Sequence, residues 1–204
     1  MAKSNKSWLQ AHRRDQFVKR ARDSRYRSRA VYKLQEIDQR DHLLKPGQTV
    51  VDLGAAPGGW SQYAAERMGG TGKVIAVDIL AMEPVNDVVF IQGDFSGENT
   101  VNACLAALGG GRADLVICDM APNLTGIRST DQARSLGLAE LALDFARQVL
   151  RPGGDLLVKL FQGEGIDAFK RELRTHFQKV MVRKPQASRS SSREFYILAR
   201  GYGV

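Results

Sequence analysis

Hydrophobic residues recur along this chain in two alternating patterns: short apolar runs, and longer segments with helical spacing. The apolar runs predict strands at 49–53, 73–78, 88–92, 114–118, 155–161, 179–183 and 195–200. The segments between them predict helices near 60–68, 98–108, 131–150 and 165–176. Strands that alternate with helices in this way indicate an α/β fold, with a mostly parallel, doubly wound sheet that carries helices on both faces.

Two local signals refine these boundaries. Ser28 is predicted to cap a helix ahead of the first strand, with Ala30, Leu34 and Ile37 on one side. Residues 151–154, Arg-Pro-Gly-Gly, predict that helix 131–150 stops and that a turn follows. The chain has 204 residues, which suffices for one structural domain with a proper core. We expect a basic helical extension over 1–45 and the main domain over 46–204.

The positive charge is concentrated at the N-terminus. Residues 1–45 hold 13 Lys and Arg against 5 Asp and Glu, whereas the rest of the chain is balanced, and the net charge is +8. A smaller basic cluster lies at 183–193. Because Lys and Arg replace the counterions of phosphates, this pattern predicts a nucleic-acid surface. Binding to an acidic membrane surface and a solvated arm without a partner remain alternative interpretations of this charge. The predicted RNA contacts are Arg25, Arg27, Arg29, Arg183 and Lys184.

Composition narrows the setting further. No apolar run approaches the length needed to span a membrane, and the N-terminus lacks the core of a signal peptide. Cys104 and Cys118 are isolated and the three histidines are scattered, so neither zinc-ligand spacing nor a disulfide framework is present. We therefore expect a cytoplasmic protein that uses no metal and has no membrane partner.

A glycine-rich turn, VVDLGAAPGGW at 50–60, joins the first predicted strand to the first following helix. Ligands of such sheets bind beyond the carboxyl ends of the strands, near a helix N-terminus. Trp60 replaces the lysine of a P-loop, and Ala56 replaces the middle glycine of a dinucleotide motif. S-adenosylmethionine, which has no phosphates, fits better: Gly54 and Gly58 offer bare backbone, and Trp60 offers a flat apolar cover. A ligand-free tight turn is the alternative.

Acidic residues end the next two predicted strands. Asp78 lies 24 residues after Gly54, about where an acid binds the ribose hydroxyls of a nucleoside. Asp94 ends the third strand and is predicted to accept a hydrogen bond from an adenine amino group. Either acid alone would more often be a solvated strand-end residue. Three suitable features at three consecutive strand ends favour a cofactor that carries a nucleoside.

The fourth and fifth predicted strands carry the candidate chemistry. Asp119 follows the fourth strand in DMAPN, a turn without the second proline and the aromatic residue by which amino-group methyltransferases hold a base. Lys159 stands inside the apolar run of the fifth strand, where a snorkelling lysine is the alternative interpretation. A lysine among apolar residues can hold a hydroxyl or accept its proton. The sequence leaves open which of the two Lys159 does.

Seven stretches, in order and covering essentially the whole chain, resemble the FtsJ-type family of bacterial 23S ribosomal RNA 2′-O-ribose methyltransferases. They are SRAVYKL (28–34), VVDLGAAPGGWSQY (50–63), QGDF (92–95), DMAPN (119–123), VKLFQGEG (158–165), VRKP (182–185) and SREFYI (192–197). Only the glycine turn and VKLFQGEG are specific by themselves. The resemblance implies a Rossmann-like class I S-adenosylmethionine-dependent methyltransferase with a seven-stranded sheet.

The resemblance also implies the site residues and the reaction. The family's catalytic Lys-Asp-Lys-Glu group matches Lys33, Asp119, Lys159 and Glu194. Its cofactor residues match Gly58, Trp60, Asp78, Asp94 and Asp119. The implied reaction transfers a methyl group from S-adenosyl-L-methionine to the ribose 2′-oxygen of a uridine in 23S rRNA of the large ribosomal subunit. We expect a monomer.

Two other classes of function remain open. One is an RNA-binding ribosome assembly factor whose methyltransferase fold is vestigial, and the presence of all four catalytic matches argues against it. The other is a methyltransferase that acts on a protein or a small molecule, and the basic N-terminus argues against that one.

Overall fold

The computed structural model describes residues 16–189 and 192–203, so the first fifteen residues of the predicted extension lie outside it. The helices are α1 (Gln16–Asp23), α2 (Val31–Asp41), α3 (Gly59–Met68), α4 (Glu98–Leu108), α5 (Arg128–Val149) and α6 (Ile166–His176). The strands are β1 (Thr49–Leu53), β2 (Lys73–Asp78), β3 (Val88–Gln92), β4 (Ala113–Cys118), β5 (Leu150–Phe161), β6 (Phe177–Arg183) and β7 (Glu194–Tyr202).

The strands form one seven-stranded sheet in the order β3-β2-β1-β4-β5-β7-β6. β1 to β5 pair in parallel, whereas β7 lies antiparallel between β5 and β6. The prediction of a mostly parallel, doubly wound sheet is therefore confirmed. Because β7 runs the other way, its first residue lies at the same sheet edge as the carboxyl ends of β1 to β5.

Each face of the sheet carries a hydrophobic core. One core packs α4, α5 and α6 against the sheet, and the other packs α1, α2 and α3 against the opposite face. The second core includes Val31, Leu34 and Ile37 of α2, all almost fully buried. Each such side chain stabilises the fold by about 1.5–3 kcal/mol. Helix α2, which carries Lys33, is thereby fixed to the sheet.

The start of α2 differs from the prediction. The cap position is Ala30, which has no side-chain capping bond, and Ser28 lies two residues earlier. The Ser28 hydroxyl instead accepts a hydrogen bond of 3.0 Å from the backbone N–H of Ala30. The next three N–H groups donate to carbonyls three positions back, so a tight turn leads into the helix. The prediction of Ser28 as the cap is wrong for this reason.

Residues 151–154 do not form a free turn after α5. The strand β5 begins at Leu150, directly after the helix, and the register with β4 shifts between the pairs Ala113–Leu150 and Leu115–Asp155. Gly153, with a φ of 79°, lies in this irregular stretch. The predicted turn is therefore a bulge inside the sheet, and the regular part of the strand begins at the predicted position.

Candidate active site

A cavity of about 480 Å³ lies beyond the carboxyl ends of β1 to β4, and we call it the strand-end cleft. Its lining comes from the turns that follow the strands: Gly54, Ala56, Asp78, Ile79, Leu80, Gly93, Asp94, Phe95, Asp119–Asn123, with Leu138 from α5. Ile79 and Leu80 are 66% and 63% exposed despite their size. The cleft therefore combines carboxylates with apolar side chains that have no protein cover.

Local backbone groups hold the two strand-end acids. Asp78 accepts from the N–H of Ala56 at 2.9 Å and from the N–H of Leu80 at 2.8 Å, which ties the glycine turn to the end of β2. Asp94 accepts from the hydroxyl and the N–H of Ser96 at 2.7 and 2.9 Å. These bonds, the hydroxyl first, lower the pKa of Asp94 below its usual value. Both acids lie at the strand ends where they were predicted, and both line the strand-end cleft.

The glycine turn itself has two different sides. Gly54 lines the cleft with a φ of 72°, and a Cβ there would lie 2.1 Å from Met120 Cγ. Gly58, with a φ of 105°, packs against the chain after β2, since a Cβ there would lie 2.9 Å from Met82 Sδ and 3.1 Å from Val85. Glycine is required at both positions by conformation and by close approach.

Trp60 does not cover the cleft, and that prediction is wrong. Its side chain is 3% exposed and belongs to the core beneath α2. The indole N–H donates to the carbonyl of Ala30 at 2.8 Å, and the ring lies 5.8 Å from the ring of Tyr196. An indole can be buried at little cost when its N–H finds such an acceptor, so the core takes the side chain.

Four side chains that are far apart in the sequence meet beside the cleft. Lys159 Nζ lies 2.9 Å from Asp119 Oδ1 and also donates to the Asp119 main-chain oxygen. Lys33 Nζ lies 2.8 Å from Glu194 Oε1 and 3.8 Å from Asp119 Oδ1. The structure thus joins all four predicted catalytic residues into one charged cluster, which we call the tetrad.

The topology of the sheet explains this meeting. Asp119 follows the last residue of β4, and Lys159 lies two residues before the end of β5. Glu194 is the first residue of β7, which pairs antiparallel with β5, so it lies opposite Phe161 and beside the end of that strand. Lys33 comes from the first turn of α2, which packs on the face of the sheet that also buries Tyr196.

Tyr196 belongs to this site and was missed from the sequence. Its hydroxyl donates to Asp119 Oδ1 at 2.6 Å, and its ring lies 5.9 Å from Lys33 Nζ. Burial, with the charges of Asp119 and Glu194, raises its pKa well above the usual value, so it stays a donor. Strand periodicity was the available signal, because residues 194 and 196 face the same side of β7.

The lysines keep the two buried carboxylates ionised. Burial alone would raise the pKa of Asp119, but the charges of Lys159 and Lys33 outweigh it and hold that pKa below its usual value. Burial likewise opposes ionisation of Glu194, and the charge of Lys33 with its hydrogen bond again lowers the pKa. At neutral pH the tetrad therefore contains two fixed negative charges.

The two basic segments lie side by side next to the tetrad. Arg29 donates to the carbonyl of Ala187, and Lys184 donates to the carbonyls of Ser192 and Glu194. Burial, followed by the nearby charge of Arg189, lowers the pKa of Arg29. Segments that are over 150 residues apart in sequence thus form one basic surface.

Within that surface the predicted RNA residues differ in their surroundings. Arg183 forms a two-pronged ion pair with Asp41, both bonds at 2.7 Å, and Arg27 binds main-chain carbonyls. Arg25 is exposed, and its side chain forms no hydrogen bond within the part of the chain that the structure describes. Several of these cations therefore already form hydrogen bonds or ion pairs within the protein.

Across residues 16–189 and 192–203, no group of three His, Cys, Asp or Glu side chains is arranged to hold a metal ion. No helix in that same part of the chain is both long and apolar enough to cross a membrane. Cys104 and Cys118 are both free and buried.

The sheet order with its inserted antiparallel strand, the glycine turn and the strand-end cleft define a Rossmann-like methyltransferase. Within that class, residues 26–202 match the family described as FtsJ-like methyltransferase, and the chain belongs to this family.

Named relatives and solved structures agree with that assignment. Proteins named ribosomal RNA large subunit methyltransferase E from Alkalilimnicola ehrlichii and Chromohalobacter salexigens are each 56% identical, over 98% of this chain and 96% of theirs. The crystal structure of a ribosomal RNA methyltransferase from Plasmodium falciparum aligns with a TM-score of 0.80 and 30% identity, over 87% of this chain and 98% of that one. A fibrillarin complex, at 20% identity and a TM-score of 0.58, shares the fold alone.

Proposed function

We propose that this chain transfers a methyl group from S-adenosyl-L-methionine to the 2′-hydroxyl of a uridine ribose in 23S rRNA of the large ribosomal subunit. The observation that carries the proposal is the tetrad, which sits at the sheet edge beside the strand-end cleft. The names of the relatives support large-subunit ribosomal RNA as the substrate. We further propose that the protein acts in the cytoplasm as a monomer.

The side chains that line the strand-end cleft suit the groups of this methyl donor. Asp78 would accept from the ribose hydroxyls and Asp94 from the adenine amino group, while Ile79 and Leu80 would flank the apolar faces. The first-turn N–H groups of α3 have no partner within the helix, so Trp60 would contribute its backbone N–H to the amino-acid carboxylate. Gly54 would let the backbone pass close to the donor, whereas Gly58 keeps the left-handed conformation of the turn and packs on its other side, against Met82 and Val85.

The sulfonium of the bound donor supplies an electrophilic methyl group, so the chain must align a ribose hydroxyl and remove its proton. Lys159 directs two hydrogen bonds at Asp119, which leaves one tetrahedral position of its nitrogen for the 2′-oxygen. A neutral amine presents a lone pair at that position, which accepts the hydroxyl proton. A protonated amine instead presents an N–H at that position, which holds the 2′-oxygen. The pH dependence of the single-turnover rate distinguishes the two roles.

The rest of the tetrad positions that nitrogen. Asp119 receives Lys159 and the Tyr196 hydroxyl on the same carboxylate oxygen, so its orientation is fixed from two sides. Lys33 bridges Asp119 and Glu194, which neutralises the second buried carboxylate. The ionised Asp119 also lies at the cleft lining, where its charge would complement the positive sulfur.

The basic surface next to the tetrad supports RNA as the acceptor. It joins segment 24–30 to the described residues 183–189 and 192–193, and includes exposed cations such as Arg25 and Arg193. Binding of a phosphate backbone by this surface should weaken steeply as salt rises.

The test is incubation of large ribosomal subunits with the protein and isotopically labelled S-adenosyl-L-methionine, followed by mapping of modified positions. We expect label on the ribose of one uridine in 23S rRNA and none with the Lys159→Ala variant. Label on a base or on a ribosomal protein, or the absence of any label, would overturn the proposal.

A further inference from the structure

Residues 79–87 connect β2 to β3 without regular secondary structure, and we call them the donor-side loop. The loop begins directly after Asp78, and its first two residues, Ile79 and Leu80, form one wall of the strand-end cleft. Seven of the nine loop residues are exposed, so little core packing fixes its path. Asp78 accepts from the Leu80 N–H and the Gln92 amide donates to the Ile79 carbonyl at 3.2 Å, so the start of the loop is held, and the path of the rest depends on contacts further along.

One such contact comes from the basic N-terminal segment. The Arg27 guanidinium donates to the carbonyl of Glu83 at 2.5 Å and to the carbonyl of Pro84. The same group donates to the carbonyl of Pro57, in the glycine turn, at 3.4 Å. Planar guanidinium donors suit such a multiple contact, and a lysine could satisfy only part of it. Arg27 thereby links the donor-side loop to the glycine turn.

Packing on Gly58 completes the link. A Cβ at Gly58 would lie 2.9 Å from Met82 Sδ, 3.1 Å from Val85 Cγ2 and 3.3 Å from Arg27 Cδ. Two loop residues and the stem of the arginine therefore rest directly on the outer side of the turn. Only a glycine permits this approach, because any side chain there would push the loop away.

Open space surrounds the contact between Arg27 and the loop. Surface cavities of about 450 and 620 Å³ flank the contact, and Arg27 lines both. The smaller one also borders Pro84, Val85 and Asp87, and the larger one borders Met82 and Glu83. Removing the arginine side chain would join these spaces beneath the loop.

We propose that Arg27 is a positioning residue that fixes the donor-side loop against the glycine turn and thereby sets the affinity for the methyl donor. It is not primarily an RNA contact, because its guanidinium is directed at three main-chain carbonyls. The inference rests on the proposed use of S-adenosyl-L-methionine. It replaces the expectation that Arg27 belongs to the RNA-binding set.

Arg25 provides a matched control two residues away. It carries the same charge in the same segment, is exposed, and contributes only its backbone carbonyl to a neighbour, Gln62. The two arginines therefore separate loss of positive charge from loss of the link to the loop.

The experiment measures S-adenosyl-L-methionine binding by calorimetry without RNA, and RNA binding by filter retention, for wild type, Arg27→Ala, Arg27→Lys and Arg25→Ala. We expect Arg27→Ala to weaken donor binding about tenfold, as the loss of its hydrogen bonds implies. Arg27→Lys should recover part of that loss, and Arg25→Ala should leave donor affinity unchanged. Steady-state kinetics of Arg27→Ala should show a raised KM for the donor with kcat near the wild-type value.

The outcomes are distinct. Arg27→Ala with wild-type donor affinity and an RNA affinity reduced as in Arg25→Ala would overturn the inference and make Arg27 an RNA contact. Should Arg27→Ala fail to fold, Arg27→Lys decides, because wild-type donor affinity in that variant also overturns it. Failure of the wild-type protein to bind S-adenosyl-L-methionine would instead refute the proposed function.

Discussion

The acids on the two sides of the sheet edge are held in different ways. On the donor side, at the ends of β2 and β3, Asp78 and Asp94 accept mainly from backbone N–H groups and from a hydroxyl close by. On the acceptor side, at the ends of β4, β5 and β7, Asp119 and Glu194 pair with lysines from other elements. The donor side is built locally, whereas the acceptor side exists only when the whole sheet is assembled.

This difference assigns different consequences to mutation. A change on the donor side removes acceptors from a cleft whose backbone is already shaped, so binding should suffer. A change on the acceptor side leaves charges unpaired in the buried cluster that we propose to act on the acceptor hydroxyl, so the transfer step should suffer.

The largest expected effect belongs to Lys159. Replacing it by alanine removes the nitrogen that would hold the ribose hydroxyl, and we expect the single-turnover rate to fall on the order of a hundredfold or more. Donor affinity by calorimetry should stay near the wild-type value. Lys159→Arg should not restore the rate, because a guanidinium cannot act as a base. Near wild-type methylation by Lys159→Ala would remove Lys159 from the mechanism, and near wild-type methylation by Lys159→Arg alone would exclude its role as the base.

Asp78 is the corresponding residue on the donor side. Asp78→Ala should weaken S-adenosyl-L-methionine binding by about ten- to a hundredfold, since it removes charged hydrogen-bond acceptors from the cleft. The rate at saturating donor should change much less. Calorimetry measures the first quantity and single turnover the second, with Glu140→Ala, an exposed acid of α5 outside the cleft lining, as the matched control. A lower transfer rate with unchanged donor affinity would contradict the proposed division between a donor side that binds and an acceptor side that acts in transfer.

Tyr196 should show a milder acceptor-side effect. Tyr196→Phe keeps the buried ring and removes only the hydrogen bond of 2.6 Å to Asp119. We expect the transfer rate to fall about tenfold at most, because Lys159 and Lys33 still hold that carboxylate. Donor affinity should remain constant, and circular dichroism should show an unchanged fold. A pure affinity defect would place Tyr196 on the donor side.

We expect the smallest effect on methyl transfer from Asp52, whose influence is on stability. It lies on β1 between the two sides and accepts from the Ser61 hydroxyl at 2.6 Å. Burial raises its pKa to about 7, against the Ser61 bond and together with the charges of Asp119 and Asp78. The folded state therefore keeps this proton where the unfolded chain has lost it. Stability should fall by about 1 kcal/mol per pH unit between the two pKa values, until the pH passes about 7.

Asp52→Asn should remove this contribution. Urea unfolding of wild type and variant at pH 5, 6 and 7 measures the difference, and the variant should gain relative stability as pH rises. Parallel pH dependences in the two proteins would show that Asp52 is ionised in the folded state.

The donor side was predictable because its signals are short-range. Gly54, Asp78 and Asp94 follow apolar runs that predict parallel strands, and parallel strands bring their carboxyl ends together. Trp60 misled the prediction, because a sequence motif fixes the backbone of a turn but not the side to which an indole packs.

The acceptor side was only partly predictable from local patterns, because Asp119 and Lys159 stood out at two strand ends whereas Lys33 and Glu194 came from the family resemblance. Lys33, Asp119 and Glu194 stand on α2, after β4 and at the start of β7, and no periodicity relates them. Tyr196 looked like an ordinary strand residue until its partner was known. The role of Arg27 could not be read from charge, because a basic run shows the sign of its side chains and not their hydrogen-bond acceptors.

The position of β7 has a consequence for the order in which the molecule folds. The strand lies between β5 and β6 although it follows both in the chain, so β6 is joined to the rest of the sheet only through β7. Glu194 and Tyr196 arrive with that late strand. During synthesis, a chain that ends before residue 194 can already form β1 to β4 and the donor cleft, yet it has no complete tetrad. The proposed tetrad is therefore completed only by the last strand of the chain, through contacts of long sequence separation, which form slowly.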